Sequence, residues 1–353
     1  MKISVRQICF ILLCYNAVSK MLLYPTVLSH YCGRDLLFAA FIDFAVQAVV
    51  VWAVSFLCSR TEKTFFQLLE GTFGNIFARI IYGLFALFFI AATIVPLCEQ
   101  KLYVHTIFYD TVPPLLIFLP FFFFSIYAAG KKFTNIGRSA DVCMPIFVLS
   151  MIFVFSMSVL EIKWNSFMPV LKTPVKDLFG GALGPVFRFA EPCYVLMFMG
   201  HFKYKKGDAA KMTFSYIGGA LTVLLFLFTF YGIYGDIAQS RQFAVSKISL
   251  FFPAIDTIGR IDLIALYILE IVMLFALVLN VQLALHCVMQ CTGYQNRVVL
   301  SLAVNAVLII LLMVFDHGFN NLHTFYAKWM WIAFAVFANA IPVLAWTLRR
   351  KER

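Results

Sequence analysis

Charge is scarce in this sequence. Of 353 residues only 13% are charged while 63% are hydrophobic, and the mean hydropathy is +0.91. That shortage excludes a water-soluble domain of meaningful size, which needs far more polar surface. The apolar runs are long and continuous, not alternating, so the pattern points to helices and away from a β-barrel. Enzyme signatures are missing too: there is no phosphate loop, no paired-histidine zinc helix and no nucleophile elbow. The nine cysteines lie mostly within apolar stretches and no pair has metal-ligand spacing. Cys287 and Cys291 share a helix face, but no second pair joins them. The sequence is therefore read as a non-enzyme with no cofactor and no metal site. The net charge of +11 is not read as a nucleic-acid signal, because the basic residues sit between the apolar runs.

What is present is membrane-spanning material. A helical crossing needs ~20 apolar residues, since the hydrocarbon core is ~30 Å thick and a helix rises ~1.5 Å per residue. Ten such spans are expected, at about 7–29, 36–58, 76–98, 114–129, 141–161, 183–201, 212–234, 262–289, 298–315 and 328–348. The opening stretch resembles a signal peptide, but its apolar run continues past Pro25 to Leu28, so it is read as a retained first helix. Connections on the side of the termini hold seventeen Lys and Arg, and the opposite side holds nine. By the positive-inside rule both termini are cytoplasmic. Two outer connections, at 162–182 and 235–261, are longer than the rest, and the second has room for a short surface or re-entrant helix. The whole chain, 1–353, reads as one polytopic domain in contact with the lipid bilayer along its length.

Two spans break the apolar rule. The first carries Asn16, Ser19, Lys20 and Pro25 in mid-span; the sixth carries Gly180, Gly181, Gly184, Pro185, Arg188, Glu191 and Pro192. Proline removes a backbone donor and glycine loosens the chain. Interrupted spans at matching places in two five-helix halves point to an inverted-repeat transporter architecture with a binding site at the breaks. The repeats fall at about 7–161 and 183–348. Kinks alone are the plainer reading of the same residues.

An ionisable side chain inside a bilayer is costly, so each demands a reason. Lys20 is open to two: a cation that holds a ligand carboxylate, or a structural ion pair or snorkelling ammonium. Arg188 and Glu191 meet on one face if the span is helical there; if it is unwound, each is free to face a cavity. Asp43, Gln47, Glu270, Asn280, Gln282 and His286 are expected to bond between helices. Glu99, at the end of the third span, is expected at the interface. The Phe121–Phe124 patch is expected to face lipid or pack.

Several short motifs follow one another in an order that is familiar. Ile136-Gly137-Arg138-Ser139-Ala140-Asp141, then Pro145, is the most specific. Gly33-Arg34-Asp35 follows the first span, Asn165 to Pro169 lies in the outer loop, and Phe187-Arg188-Phe189-Ala190-Glu191 lies in the sixth span. A basic loop runs from Lys203 to Lys211, and Phe252-Pro253 precedes Gly259 and Arg260-Ile261-Asp262. In this order they resemble the B subunit of spore germinant receptors, the endospore germination permeases, within the amino acid–polyamine–organocation transporter superfamily. Departures exist: Leu37 replaces a usual Trp, Arg188 and Ala190 replace proline and glycine, and Val18 replaces a glycine before Ser19.

The resemblance implies an all-α membrane fold of about ten transmembrane helices, a 5+5 inverted repeat of LeuT-like type with broken first and sixth helices. It implies a small-molecule germinant, typically an amino acid, bound between the first, third, sixth and eighth helices. Asn16, Val18, Ser19, Lys20, Phe187, Phe189, Ala190 and Glu191 are the candidate contacts, with Lys20 as the site's cation. It also implies germinant receptor A and C subunits as partners, at the spore inner membrane. The other readings of the chain are an autonomous amino acid or amine permease and a structural membrane subunit whose pocket is degenerate.

Overall fold

The computed structural model describes residues 3–59, 61–108, 111–168, 171–250, 262–315 and 318–350. Lys2, Arg60, Pro169, Phe252-Pro253, Gly259, Arg260-Ile261, Lys351 and Arg353 lie outside the described residues, as does most of the second half of the 235–261 connection.

The described helices group into ten crossings. The first is broken into α1 (Val5–Val18) and α2 (Tyr24–Cys32), and the second is α3 (Leu36–Cys58). A short inner helix, α4 (Phe65–Phe73), leads into α5 (Asn75–Phe108), α6 (Pro114–Ala129) and α7 (Asn135–Ser158). The sixth crossing is broken into α8 (Val175–Leu183), a 3-10 turn at Gly184–Arg188, and α9 (Glu191–Phe198). Then come α10 (Asp208–Tyr234), the short outer helix α11 (Ala244–Ser249), α12 (Asp262–Thr292), α13 (Arg297–Val314) and α14 (Phe319–Trp346). Seven helical runs among the described residues are long and apolar enough to cross a membrane unaided. The remaining three crossings are the short α6 and the two that are broken.

The expected spans match in order, but α8 begins at Val175 rather than 183 and α14 at Phe319 rather than 328, and two further shifts bear on the site. α5 runs on to Phe108, ten residues past the expected end, because Pro96 is absorbed inside the helix. That extension places Glu99 inside the protein, 1% exposed, and corrects its expected interfacial position. α7 starts at Asn135 rather than 141, so the Ile136–Asp141 motif lies within its first two turns. In the Phe-rich patch Phe121 and Phe122 are buried and Phe123 and Phe124 exposed.

The centre is built from α1, α5, α9 and α12. α12 packs along α5, α1 lies on α10, and every residue of α9 is buried. The breaks follow from local chemistry. α1 ends at Val18, and Tyr24-Pro25 begins α2 with proline in the first turn, where its missing N–H costs nothing. Pro192 does the same for α9.

Two motifs act as ties. Asp35 accepts the amides of Leu171 (2.6 Å) and Thr173 (2.8 Å), and Arg34 donates to the Met168 carbonyl (2.5 Å), so Gly33-Arg34-Asp35 binds the first outer turn to the loop after α7. Gly33 has φ +51°, which favours glycine. On the opposite face Asp141 takes Arg6 (3.0 Å) and Gln7 (2.7 Å), docking the start of α1 on α7.

α10 reaches α1 through Gly219. A Cβ there would lie 2.8 Å from the Leu13 carbonyl oxygen and 3.1 Å from Asn16 Cβ. Gly219→Val is expected to cost about 1–3 kcal/mol through this overpacking. Reversible unfolding in detergent measures it, and an unchanged stability would contradict the packing.

Candidate ligand site at the two broken helices

Lys20 sits in the gap between α1 and α2 and is fully buried. Its Nζ donates to Glu191 Oε1 at 2.6 Å and to Asn16 Oδ1 at 2.9 Å, with longer contacts to the Asn16 carbonyl and Ser19 Oγ, both 3.4 Å. The ammonium lies 4.4 Å from the centroid of the Phe189 ring and 5.9 Å from that of Phe44, positions that favour a cation. The pair also matches the backbone dipoles. Lys20 lies just past the C-terminal end of α1, the negative end of that helix dipole, and Glu191 is the first residue of α9, at its positive end. One salt bridge therefore joins the two breaks and complements both half-helix ends.

Asn16 is the orienting residue. Its Nδ2 donates to the Tyr216 carbonyl on α10 at 3.1 Å, which turns Oδ1 toward Lys20. Glu191 uses one oxygen only: among the described residues its Oε2 is buried without a partner.

A second buried pair lies beside the first. Arg188 bonds both carboxylate oxygens of Glu99, one at 3.0 Å. Of the two arrangements open to Arg188 and Glu191, the structure takes the unwound one. Phe189 and Ala190 leave the helix, and the two charges turn to different partners, Glu99 on α5 and Lys20 in the break of the first crossing. Glu99 was legible only as an acid near a helix end. The apolar residues Leu102 to Val104 that follow it were the available sign that the helix continues. Next to it, Gln100 donates to Glu270 at 2.6 Å, and Tyr194 donates to Asn280 at 2.7 Å, so α5, α9 and α12 are hydrogen-bonded across the centre. Gln282 donates to the Ala128 carbonyl at 2.6 Å, and His286 stacks on Phe133. Asp43 Oδ2 and Gln47 Oε1 have no partner among the described residues, unlike the interhelical bonds expected of them.

Of the candidate residues, Asn16, Ser19, Lys20, Phe189 and Glu191 come together. Ala190 is the buried residue before α9. Val18 and Ser19 line a cavity of about 20 Å³, enclosed further by Tyr15, Pro96, Glu99, Gln100 and Asn280. Its walls come from α1, α5 and α12 and the α1–α2 break. Phe187 points elsewhere, onto His323, Tyr326 and Phe334 of α14. The cavity is water-sized, so a larger ligand requires the broken helices to move.

Ten helices with the first and sixth unwound at one buried layer define a membrane-transporter fold. Solved structures share it. MhsT in complex with L-phenylalanine superposes with a TM-score of 0.60 at 12% identity, over 98% of this chain and 89% of that one. A histidine-to-alanine mutant of the manganese transporter of Eremococcus coleocola does so with 0.60 at 12% identity, over 96% and 78%. At this identity the likeness is one of fold. No curated protein matches the chain in sequence. The family model of the spore germination proteins matches residues 2–320, and the chain belongs to that family.

Removing one partner of a buried ion pair leaves the other uncompensated. Arg188→Met is expected to lower stability by about 3–5 kcal/mol. The double variant Arg188→Met, Glu99→Gln should recover most of that in the same unfolding measurement. Equal losses in the single and double variants would contradict a paired Arg188 and Glu99.

Proposed function

We propose that this protein is the membrane subunit of a germinant receptor. It binds a small germinant with the character of an amino acid at the break between α1 and α2, facing α5, α9 and α12. It passes the signal to the receptor's A and C subunits at the spore inner membrane, with both of its own termini in the cytoplasm. Asn16, Val18, Ser19, Lys20, Phe189, Ala190 and Glu191 form the site. Phe187 belongs to it only through movement of the sixth crossing against α14. The five-helix repeats, about 7–161 and 183–348, are the bodies whose relative motion opens it.

The observation that carries this reading is the Lys20–Glu191 pair. It supplies a cation able to meet a carboxylate, and a carboxylate with one oxygen unpartnered, at the break whose Val18 and Ser19 line the water-sized cavity. A zwitterion supplies both complements. Family membership supports germination as the context, and the binding of L-phenylalanine by MhsT, a protein of the same fold, supports the ligand class. In mechanism, a ligand that competes for Lys20 or Glu191 weakens the salt bridge between the broken spans and shifts the population toward an open arrangement.

The test is a germinant screen on spores lacking this chain, complemented with the wild type, Lys20→Met or Glu191→Gln. Loss of one charged hydrogen bond is expected to raise the germinant concentration needed by about 10–100-fold. A normal response from Lys20→Met, expressed at wild-type level, would remove Lys20 from the site. Uptake of a labelled amino acid by the chain alone in liposomes would instead support the permease reading.

A further inference from the structure

An opening with a polar rim lies away from the breaks, between α6 and α7. It is a groove of about 550 Å³ whose floor is α12. Its body is apolar: Phe124, Val142, Leu274, Phe275 and Val278 supply the walls and floor. Phe124 and Val142 are exposed on the outer surface of the bundle, so the groove opens toward the acyl chains. Along α12 it extends from Ile271 to Gln282. At ~1.5 Å per residue that is about 17 Å, close to the ~15 Å depth of one leaflet.

The two ends differ. The end at the side of the chain termini is polar and basic. Lys131, Asn135 and Ser139 lie on its rim, and the exposed Lys132 is adjacent. The Lys131 ammonium lies 4.1 Å from the centroid of the Tyr127 ring, which holds it at the mouth. Arg297 fixes the turn by donating to the Lys131 carbonyl at 3.2 Å. Among the described residues neither Lys131 nor Lys132 has an acidic partner. The sequence explains why: no Asp or Glu occurs from Thr111 to Ala140 or from Ile271 to Phe315. The nearest acid along the chain, Asp141, is taken by Arg6 and Gln7.

We infer that this groove is a binding site for an anionic phospholipid of the leaflet on the side of the termini. An acyl chain fills the α6–α7 gap over α12, and the phosphate meets Lys131 and Lys132. The apolar body selects a lipid over a soluble anion. The uncompensated lysines select an anionic headgroup over a zwitterionic one, because each basic residue near the membrane surface favours an anionic lipid. The groove's walls, α6, α7 and α12, include the helix that also carries Asn280 and Glu270. A lipid seated there braces α12 against α6 and α7.

Native mass spectrometry of the full chain, released from micelles with equal phosphatidylglycerol and phosphatidylcholine, tests the site. The wild type should retain phosphatidylglycerol preferentially. Lys131→Gln should weaken that retention about fivefold, while Lys203→Gln, on a different loop, should leave it unchanged. Ser139→Trp, which obstructs the rim without altering charge, should reduce retention of both lipids. Equal retention of the two lipids by the wild type would overturn the proposal. So would a loss with Lys203→Gln as large as that with Lys131→Gln, since the binding would then be general attraction to a basic face. Lys131 and Ser139 lie outside the proposed germinant site, so failure here leaves that site standing, and failure there leaves this one.

Discussion

A full charge at the centre of a membrane protein must be met by another, and the arrangement of this bundle follows from how Lys20 and Glu191 meet. Taking both groups out of water costs several kcal/mol per ion before any attraction is counted. The fold offsets that with more than the pair's own contact at 2.6 Å. Lys20 also meets Asn16 Oδ1, the Phe189 ring and the carbonyl end of α1, while Glu191 sits on the amide end of α9. The backbone breaks and the charges therefore explain one another. Unwinding brings polar groups into the span that lipid would not tolerate, and they are buried in the protein, where Lys20 reaches the Asn16 carbonyl as well as Glu191.

Around that bridge the neighbouring contacts set position. Tyr216 holds Asn16, and close contact at Gly219 lets α10 carry that carbonyl near enough. Arg188 is drawn to Glu99 on α5, which leaves Glu191 to Lys20. The outer tie at Asp35 and the inner tie at Asp141 fix the far ends of the broken first crossing to the loops after α7 and to α7 itself. Both ends of the crossing are held, and among the described residues one salt bridge joins its middle to the sixth crossing. The proposed ligand site lies at that joint, and the cavity lined by Val18 and Ser19 must enlarge to admit anything beyond water.

Much of this was readable from residue type and spacing. Long apolar runs gave the ten crossings, and Pro25, Pro192 and the mid-span charges marked both breaks, because proline and buried charge are costly in an uninterrupted membrane helix. The choice of partners was not readable. Arg188 and Glu191, three apart, suggest a local pair until Phe189 and Ala190 are seen to leave the helix. Glu99 looked interfacial because Pro96 suggested a helix end, yet α5 absorbs the proline and continues for three more turns. Phe187 shared a motif with Glu191 but, on the 3-10 turn, projects to α14. For Arg188, Glu191 and Phe187 the missing information was rotation about a broken backbone, and for Glu99 it was where a continuous helix ends; spacing encodes neither.

The central claim is that Lys20 and Glu191 act as one unit joining the broken crossings. A double-mutant cycle with Lys20→Met and Glu191→Gln, read by the free energy of unfolding in one detergent, tests it most directly. The account predicts strong non-additivity, with a coupling of about 2–3 kcal/mol and a double variant no less stable than the worse single one. Additive losses, within about 0.5 kcal/mol, would show that the two residues act independently and would contradict it.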